Sequence, residues 1–207
     1  MGILEGKNIL VTGVTIDTSI AYVVADVAQQ EGANVVISGA GRALRLANRV
    51  AKRLDPQPPV IELDVTVEEH LDGLPAALEP YFGDRIDGVV HSIAFANPET
   101  ALGGAFLSTS WEDVSKAIEI SAFSMKSLAM AAKPMMSDGG SIVGLTFDAT
   151  VSWPAYDWMG VAKSALESTS RYLARDLGGD GIRSNIVAAG PIDTLAKQAI
   201  PGASSFN

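Results

Sequence analysis

Tyr156 and Lys163 stand seven residues apart in a stretch that reads as helix. At 100° per residue the separation is about 700°, which leaves the two side chains within ~20° of one face, with a rise of about 10.5 Å between their Cα atoms. A tyrosine hydroxyl can donate a hydrogen bond to a substrate oxygen. An ammonium on the same face can hydrogen-bond the hydroxyls of a cofactor and favours negative charge on oxygens near it. By spacing alone, a half-buried tyrosine and a lysine with its stem laid along apolar surface explain the pair more simply. A second candidate lies in Thr12-Gly13-Val14-Thr15-Ile16-Asp17-Thr18-Ser19-Ile20-Ala21. A dinucleotide site usually shows G-x-G-x-x-G at such a turn, and here one glycine stands where three are expected. The chemistry can still be met. Ser19 brings a hydroxyl and an amide to a helix N-terminus, where free N–H groups and the dipole favour a pyrophosphate. Read by itself, Ser19 is also an ordinary helix cap.

These residues need elements to hold them. Short apolar runs predict strands over 8–11, 35–37, 60–65, 86–91, 140–147 and 182–187, each stopped by turn residues. Between them, apolar residues at helical spacing predict helices over 20–31, 43–54, 68–81, 110–136 and 157–177. Ile20, Val23, Val24, Val27 and Ala28 form the stripe of the first helix, and Ser110 is the expected cap of the fourth. Pro75 leaves the length of the 68–81 helix open. Six strand–helix alternations predict an α/β fold, a doubly wound parallel sheet of Rossmann type with helices on both faces. Ligands of such sheets bind at the carboxyl ends of the strands. That rule gathers Gly13, Asp64, Ser92, Phe147 and Gly190 along one rim.

Composition removes other chemistries. The 207 residues include no cysteine and only two histidines, His70 and His91, which excludes disulfide scaffolds, thiolate metal sites and cysteine nucleophiles and nearly excludes a histidine-rich metal site. The formal net charge of −9 and the absence of a basic run argue against nucleic acid. No apolar run approaches the ~18 residues that would suggest a membrane span, and the N-terminus lacks the pattern of a signal peptide. The expectation is a cytoplasmic protein without a metal.

The chain resembles the short-chain dehydrogenase/reductase superfamily and, within it, the enoyl-(acyl-carrier-protein) reductases of the mycobacterial, NADH-dependent type. The likeness is carried by Gly13 with Ser19-Ile20-Ala21, by Leu63-Asp64-Val65, by His91-Ser92-Ile93, by Phe147-Asp148, by the run from Tyr156 to Ser168, and by Arg183-Ser184-Asn185 through Gly190-Pro191-Ile192. It runs from Leu4 to about Ala199. Ordinary superfamily members place tyrosine four residues before the lysine. Met159 occupies that position here and cannot donate a proton.

The resemblance implies roles. Tyr156 would hydrogen-bond the thioester carbonyl of a trans-2-enoyl substrate carried on acyl carrier protein and stabilise the enolate. Lys163 would hold the nicotinamide ribose. Phe147 would lie beside the nicotinamide and shape the acyl site. Gly13, Ser19 and Ile20 would serve the pyrophosphate, and Asp64 and Val65 the adenine. Ser92, Ile93, Ala94, Ile192 and Thr194 would border the cofactor. The resemblance also implies fatty-acid synthesis and a homotetramer with a four-helix contact between copies. Ile118, Ala122, Met125, Ala129 and Ala132 read as a stripe beyond what one core needs, available for that contact.

Several positions depart from the pattern. The glycine after Ser92-Ile93 is replaced by Ala94, whose methyl would crowd the turn if positive φ is required. No acidic residue follows the second strand, and Arg42 could attract a 2′-phosphate, so NADPH stays open beside NADH. Residues 1–194 read as a dinucleotide-binding domain and 195–207 as the start of a substrate-binding loop. Ending there would leave the sixth strand at a sheet edge, the acyl pocket open on one side and the segment after about Ala199 mobile. A small-carbonyl reductase and a non-catalytic dinucleotide-binding protein are the alternatives. His91 and Asp148 read as structural. Trp153, Trp158 and Met159 fit a lipid-lined site or simple packing.

Overall fold

The computed structural model describes residues 2–190 together with 192, 198 and 200. Six parallel strands form one sheet: β1 (Asn8–Thr12), β2 (Asn34–Gly39), β3 (Val60–Glu62), β4 (Gly88–His91), β5 (Gly140–Thr146) and β6 (Ile182–Ala188). Their spatial order is β3-β2-β1-β4-β5-β6, the doubly wound order with its switch between β1 and β4. In register, Leu10 lies beside Val36, and Val89 lies beside Leu10 and Ile142, so one apolar row crosses the sheet. Alternate residues serve opposite faces, as the period of a strand requires. Leu10, Val36, Val89 and Ile142 join one core cluster, whereas Ile9, Val11, Val35 and Ile37 join another.

Helices cover both faces. α1 (Ile20–Gln30) and α2 (Gly41–Val50) pack on the Ile9–Val11 side through Ala21, Ala25, Ala28, Ala47 and Val50. The opposite layer contains α3 (Glu68–Asp72), α4 (Leu74–Phe82), α5 (Trp111–Ile118), α6 (Ser124–Ala132) and α7 (Asp157–Leu177). The helix expected over 68–81 is two helices. Gly73 closes the first, and Pro75, which has no N–H to give to a preceding turn, sits in the first turn of the second. The helix expected over 110–136 begins at its Ser110 cap, widens into a single π turn over Glu119–Phe123, continues as α6 and ends in a tighter turn at Met135. The expected strand over 60–65 is shorter, because the chain after Glu62 turns into the rim.

The proposed interface stripe needs correction. Ala122, Met125, Ala129 and Ala132 are buried against the sheet with Ile142 and Leu166, and Ile118 is half-buried. The three alanines let this helix layer lie close to the sheet. At Gly144 a Cβ would lie only 3.2 Å from the Met125 sulfur. The outward face of this layer instead carries Phe123 and Met130 with Val161 and Tyr172 of α7.

Among the described residues β6 lies at one end of the strand order. It buries Ile182 and Ser184 while Arg183, Asn185 and Val187 are exposed. The expectations for Thr194 and for the segment after Ala199 lie outside the described residues, apart from Ile200.

Candidate active site at the strand rim

The carboxyl ends of the strands enclose a cavity of about 1160 Å³. Ligand pockets commonly span ~300–1,000 Å³, so this one has room for more than a single small ligand. It is lined by Gly13, Ser19 and Ile20 after β1, by Asp64 and Val65 after β3, by Ser92, Ile93 and Ala94 after β4, and by Phe147 after β5. Tyr156, which immediately precedes α7, and Lys163, in its second turn, also line it, as does Ile192. Thus every expected site residue within the described part of the chain lines one space.

The first rim turn is tight. Gly13 has φ +78°, and a Cβ there would come within 1.9 Å of the Ser92 carbonyl oxygen. Thr12 reinforces this closeness, since its hydroxyl donates to the Val90 carbonyl at 2.9 Å and accepts from the Ser92 N–H at 3.1 Å. Ser19 is a cap: its hydroxyl donates to the Ile16 carbonyl at 2.7 Å and accepts from the Tyr22 N–H at 3.2 Å. Its own N–H also donates to the Ile16 carbonyl. Ile20 beside it lines the cavity, and its first-turn N–H has no intrahelical acceptor, as helix geometry dictates.

Asp64 accepts from the N–H and hydroxyl of Thr66 through one oxygen, at 2.9 and 2.7 Å. Its own N–H donates to His70 Nδ1 at 3.0 Å. His70 therefore fixes the loop after β3, a role that its place in the sequence did not signal. Gly39, Ala40 and Ala43 line the cavity beside exposed Arg42. Ala94 lies outside the positive-φ region, so its methyl meets no strain there.

On the opposite wall Phe147 meets Tyr156 edge-on at 5.3 Å and Trp153 at 5.2 Å. Trp153 and Trp158 pack against Phe147 and Phe106 and do not line the cavity, whereas Met159 does. Burial pushes the Tyr156 phenol above its ordinary range, so it keeps its proton. Lys163 is buried, and its ammonium donates to the Leu145 carbonyl at 2.7 Å. Burial lowers its pKa to about 8, against the upward pull of Glu167. Glu167 is tied to the rim by the Thr146 hydroxyl at 3.0 Å.

His91 is a core residue behind this wall. Its Nε2 is 2.7 Å from the Ser124 hydroxyl, and burial followed by the Lys163 charge holds its pKa down to about 3. Asp148 closes a local turn on Thr150. Ser121, in the π turn, accepts from the Phe95 N–H and donates to the Phe95 carbonyl, both at 2.9 Å. It thereby fastens the loop after β4 to the helix layer. No helix among the described residues is long and apolar enough to cross a membrane.

Comparison with known proteins agrees with this geometry. The family described as enoyl-(acyl carrier protein) reductase matches residues 13–207. Proteins named enoyl-(acyl-carrier-protein) reductase (NADH) from Mycolicibacterium smegmatis and Mycobacterium avium are 53% and 52% identical to it over 204 residues. In each case the alignment covers 97% of this chain and 75% of the relative. A protein of the same name from Bacillus subtilis is 40% identical over 99% of this chain and 78% of its own length.

Proposed function

The chain belongs to the enoyl-(acyl-carrier-protein) reductase family, and we propose that it reduces the trans-2 double bond of enoyl thioesters on acyl carrier protein with NADH, in fatty-acid synthesis. The observation that carries this reading is the seven-residue Tyr156–Lys163 pair lining one cavity beside Phe147. Met159, apolar at the position four before the lysine, speaks against an ordinary carbonyl reductase.

The rim suits a dinucleotide. A side chain at position 13 would fill the close approach between the β1 and β4 loops, and the first-turn amide of Ile20, at the helix N-terminus that Ser19 caps, offers a donor to a pyrophosphate. Asp64 and Val65 would hold the adenine, Lys163 the nicotinamide ribose, and Ser92, Ile93, Ala94, Ile192 and Thr194 would flank the cofactor. When bound, NADH supplies the hydride. The chain's own residues supply position and charge. Tyr156, kept protonated by burial, donates a hydrogen bond to the thioester carbonyl oxygen and stabilises the negative charge that develops there. Lys163, still largely protonated at neutral pH, adds a nearby positive charge. Phe147 and Met159 shape an apolar wall for the acyl chain.

The same reading makes residues 1–194 the dinucleotide-binding domain and 195–207 the start of the substrate-binding loop, in a cytoplasmic enzyme. It also makes the enzyme a homotetramer, supported by exposed Phe123 and Tyr172, which share a shallow groove between α6 and α7. The test is NADH oxidation on adding a trans-2-enoyl thioester, alongside calorimetric titration of the dinucleotide. Absence of binding at millimolar NADH would refute the reading.

A further inference from the structure

Tyr156 stands between two residues whose backbones lie in the left-handed region, Ala155 at φ 60° and Asp157 at φ 43°. Neither is glycine. Side-chain-bearing residues adopt this conformation uncommonly, and it persists where surrounding bonds over-determine it.

Those bonds come from the loop over 97–109. One carboxylate oxygen of Asp157, Oδ2, accepts from the Gly104 N–H at 2.6 Å and from the Ala105 N–H at 2.9 Å. The Gly103 N–H donates to the Ala155 carbonyl at 2.9 Å, and the Trp158 N–H donates to the Ala101 carbonyl at 3.3 Å. The Trp158 indole N–H donates to the Phe106 carbonyl at 3.0 Å, and the two rings stack at 4.8 Å. Both neighbours of Tyr156 are therefore tied to 101–106. The far end of the loop is anchored by a second carboxylate: Asp113 of α5 accepts from the Thr100 hydroxyl at 2.7 Å and from the Asn97 amide at 3.2 Å.

We propose that Asp157 is a positioning residue for Tyr156, its carboxylate clamping the Gly104 and Ala105 amides to fix the turn from which the phenol enters the cavity. The inference rests on the reading of Tyr156 as the donor to the thioester carbonyl. A tyrosine has two side-chain torsions, so the direction of its ring follows its backbone closely. Edge contact with Phe147 fixes the ring from one side, and the clamp fixes the backbone from the other. Placement errors of about 1 Å far from the chemistry can cost on the order of a hundredfold in rate. An acid in the first turn of α7 also suits the helix dipole, but that role would not depend on the loop.

The charge and the clamp can be separated, because a single oxygen receives both amides. Asp157→Asn keeps a carbonyl oxygen that can accept them and tolerates the left-handed backbone. Asp157→Ala removes the acceptor. Asp157→Gly removes it while relieving the backbone, which keeps the comparison available if the alanine variant does not fold. The full chain carrying each change, and Tyr156→Phe beside them, is measured for kcat and KM with an enoyl thioester, for NADH affinity and for thermal melting. The expected result is that kcat falls about tenfold or more in the alanine and glycine variants, stays within about threefold of wild type in the asparagine variant, and leaves NADH affinity unchanged. If Tyr156→Phe lowers kcat while Asp157→Ala and Asp157→Gly do not, the clamp is not a positioning device and the reading of Tyr156 stands. If Asp157→Asn loses as much as alanine, the charge and not the clamp is what matters, and the inference is overturned. If Tyr156→Phe leaves kcat unchanged, the reading of Tyr156 falls and takes the inference with it.

Discussion

Lys163→Met should make the ligand-free protein more stable at neutral pH while weakening its hold on the dinucleotide. The lysine is buried, and burial brings its pKa from 10.5 to about 8 despite Glu167. At about 1.4 kcal/mol per pH unit, that gap is worth on the order of 3 kcal/mol. The sign follows from proton counts. Below pH 8 the lysine is charged in both folded and unfolded chains, and the folded state carries the whole desolvation cost. Between pH 8 and 10.5 the unfolded chain binds a proton that the folded chain has released, so stability rises with pH. Above 10.5 the cost is gone. The methionine variant also forfeits the bond to the Leu145 carbonyl, at about 1–3 kcal/mol. Its net gain at pH 7 should therefore lie between zero and about 2 kcal/mol. The decisive quantity is the difference between the two proteins in urea denaturation, followed from pH 7 to 10.5. It should move by roughly 3 kcal/mol against the variant, since every other titrating group cancels. NADH affinity should drop on the order of 10- to 100-fold, the loss of a charge-assisted hydrogen bond. A difference in stability that does not change with pH would refute the claim that Lys163 is held desolvated at the rim.

Three other outcomes are expected. Tyr156→Phe should lower kcat by about 10²–10³ and leave NADH affinity within about twofold, because its hydroxyl acts on charge that appears only as the reaction proceeds. Gly13→Ala should abolish dinucleotide binding in calorimetry and lower the melting temperature, since the left-handed backbone alone costs about 1–2 kcal/mol and the methyl would also meet the Ser92 carbonyl oxygen at 1.9 Å. Arg42→Ala should leave NADH affinity unchanged. A wild type that prefers NADPH and loses that preference in the variant would overturn the choice of cofactor.

The rim was readable in advance for a physical reason. Parallel strands buried on both faces appear as short apolar runs, and the chain writes six of them with turn residues at their ends. Residues such as Gly13, Asp64 and Phe147 follow those runs directly, so the fold rule gathered them without knowledge of a single contact. The helix stripe was harder. Ala122, Met125, Ala129 and Ala132 have the same spacing whether they face a sheet or another subunit. Only the closeness of β5, with Gly144 leaving room for Met125, decides between the two. Other supports were hidden because they join backbone groups to side chains across long separations. Ser121 binds Phe95 from 26 residues away, and Asp157 binds Gly104 from 53. Such bonds leave no periodicity in the sequence.

The two costs at this site fall on the same short wall. Lys163 surrenders hydration to stand in the cavity, and the turn around Tyr156 holds two side-chain-bearing residues in a left-handed backbone. Neither would be kept for stability alone, since an apolar residue at 163 and a glycine at 155 or 157 would relieve them. Each has a dedicated support from outside its own position. Glu167, held by Thr146, counters the desolvation of the lysine, and the 97–109 loop, held by Asp113, restrains the turn. Strain that is supported from two directions at one wall marks where the fold yields stability to chemistry. It also explains why Tyr156 and Lys163 lie on opposite sides of the helix start. Tyr156 takes its direction from the restrained turn, and Lys163 takes its direction from the first two turns of α7, so the two can be aligned on one cavity by different parts of the chain.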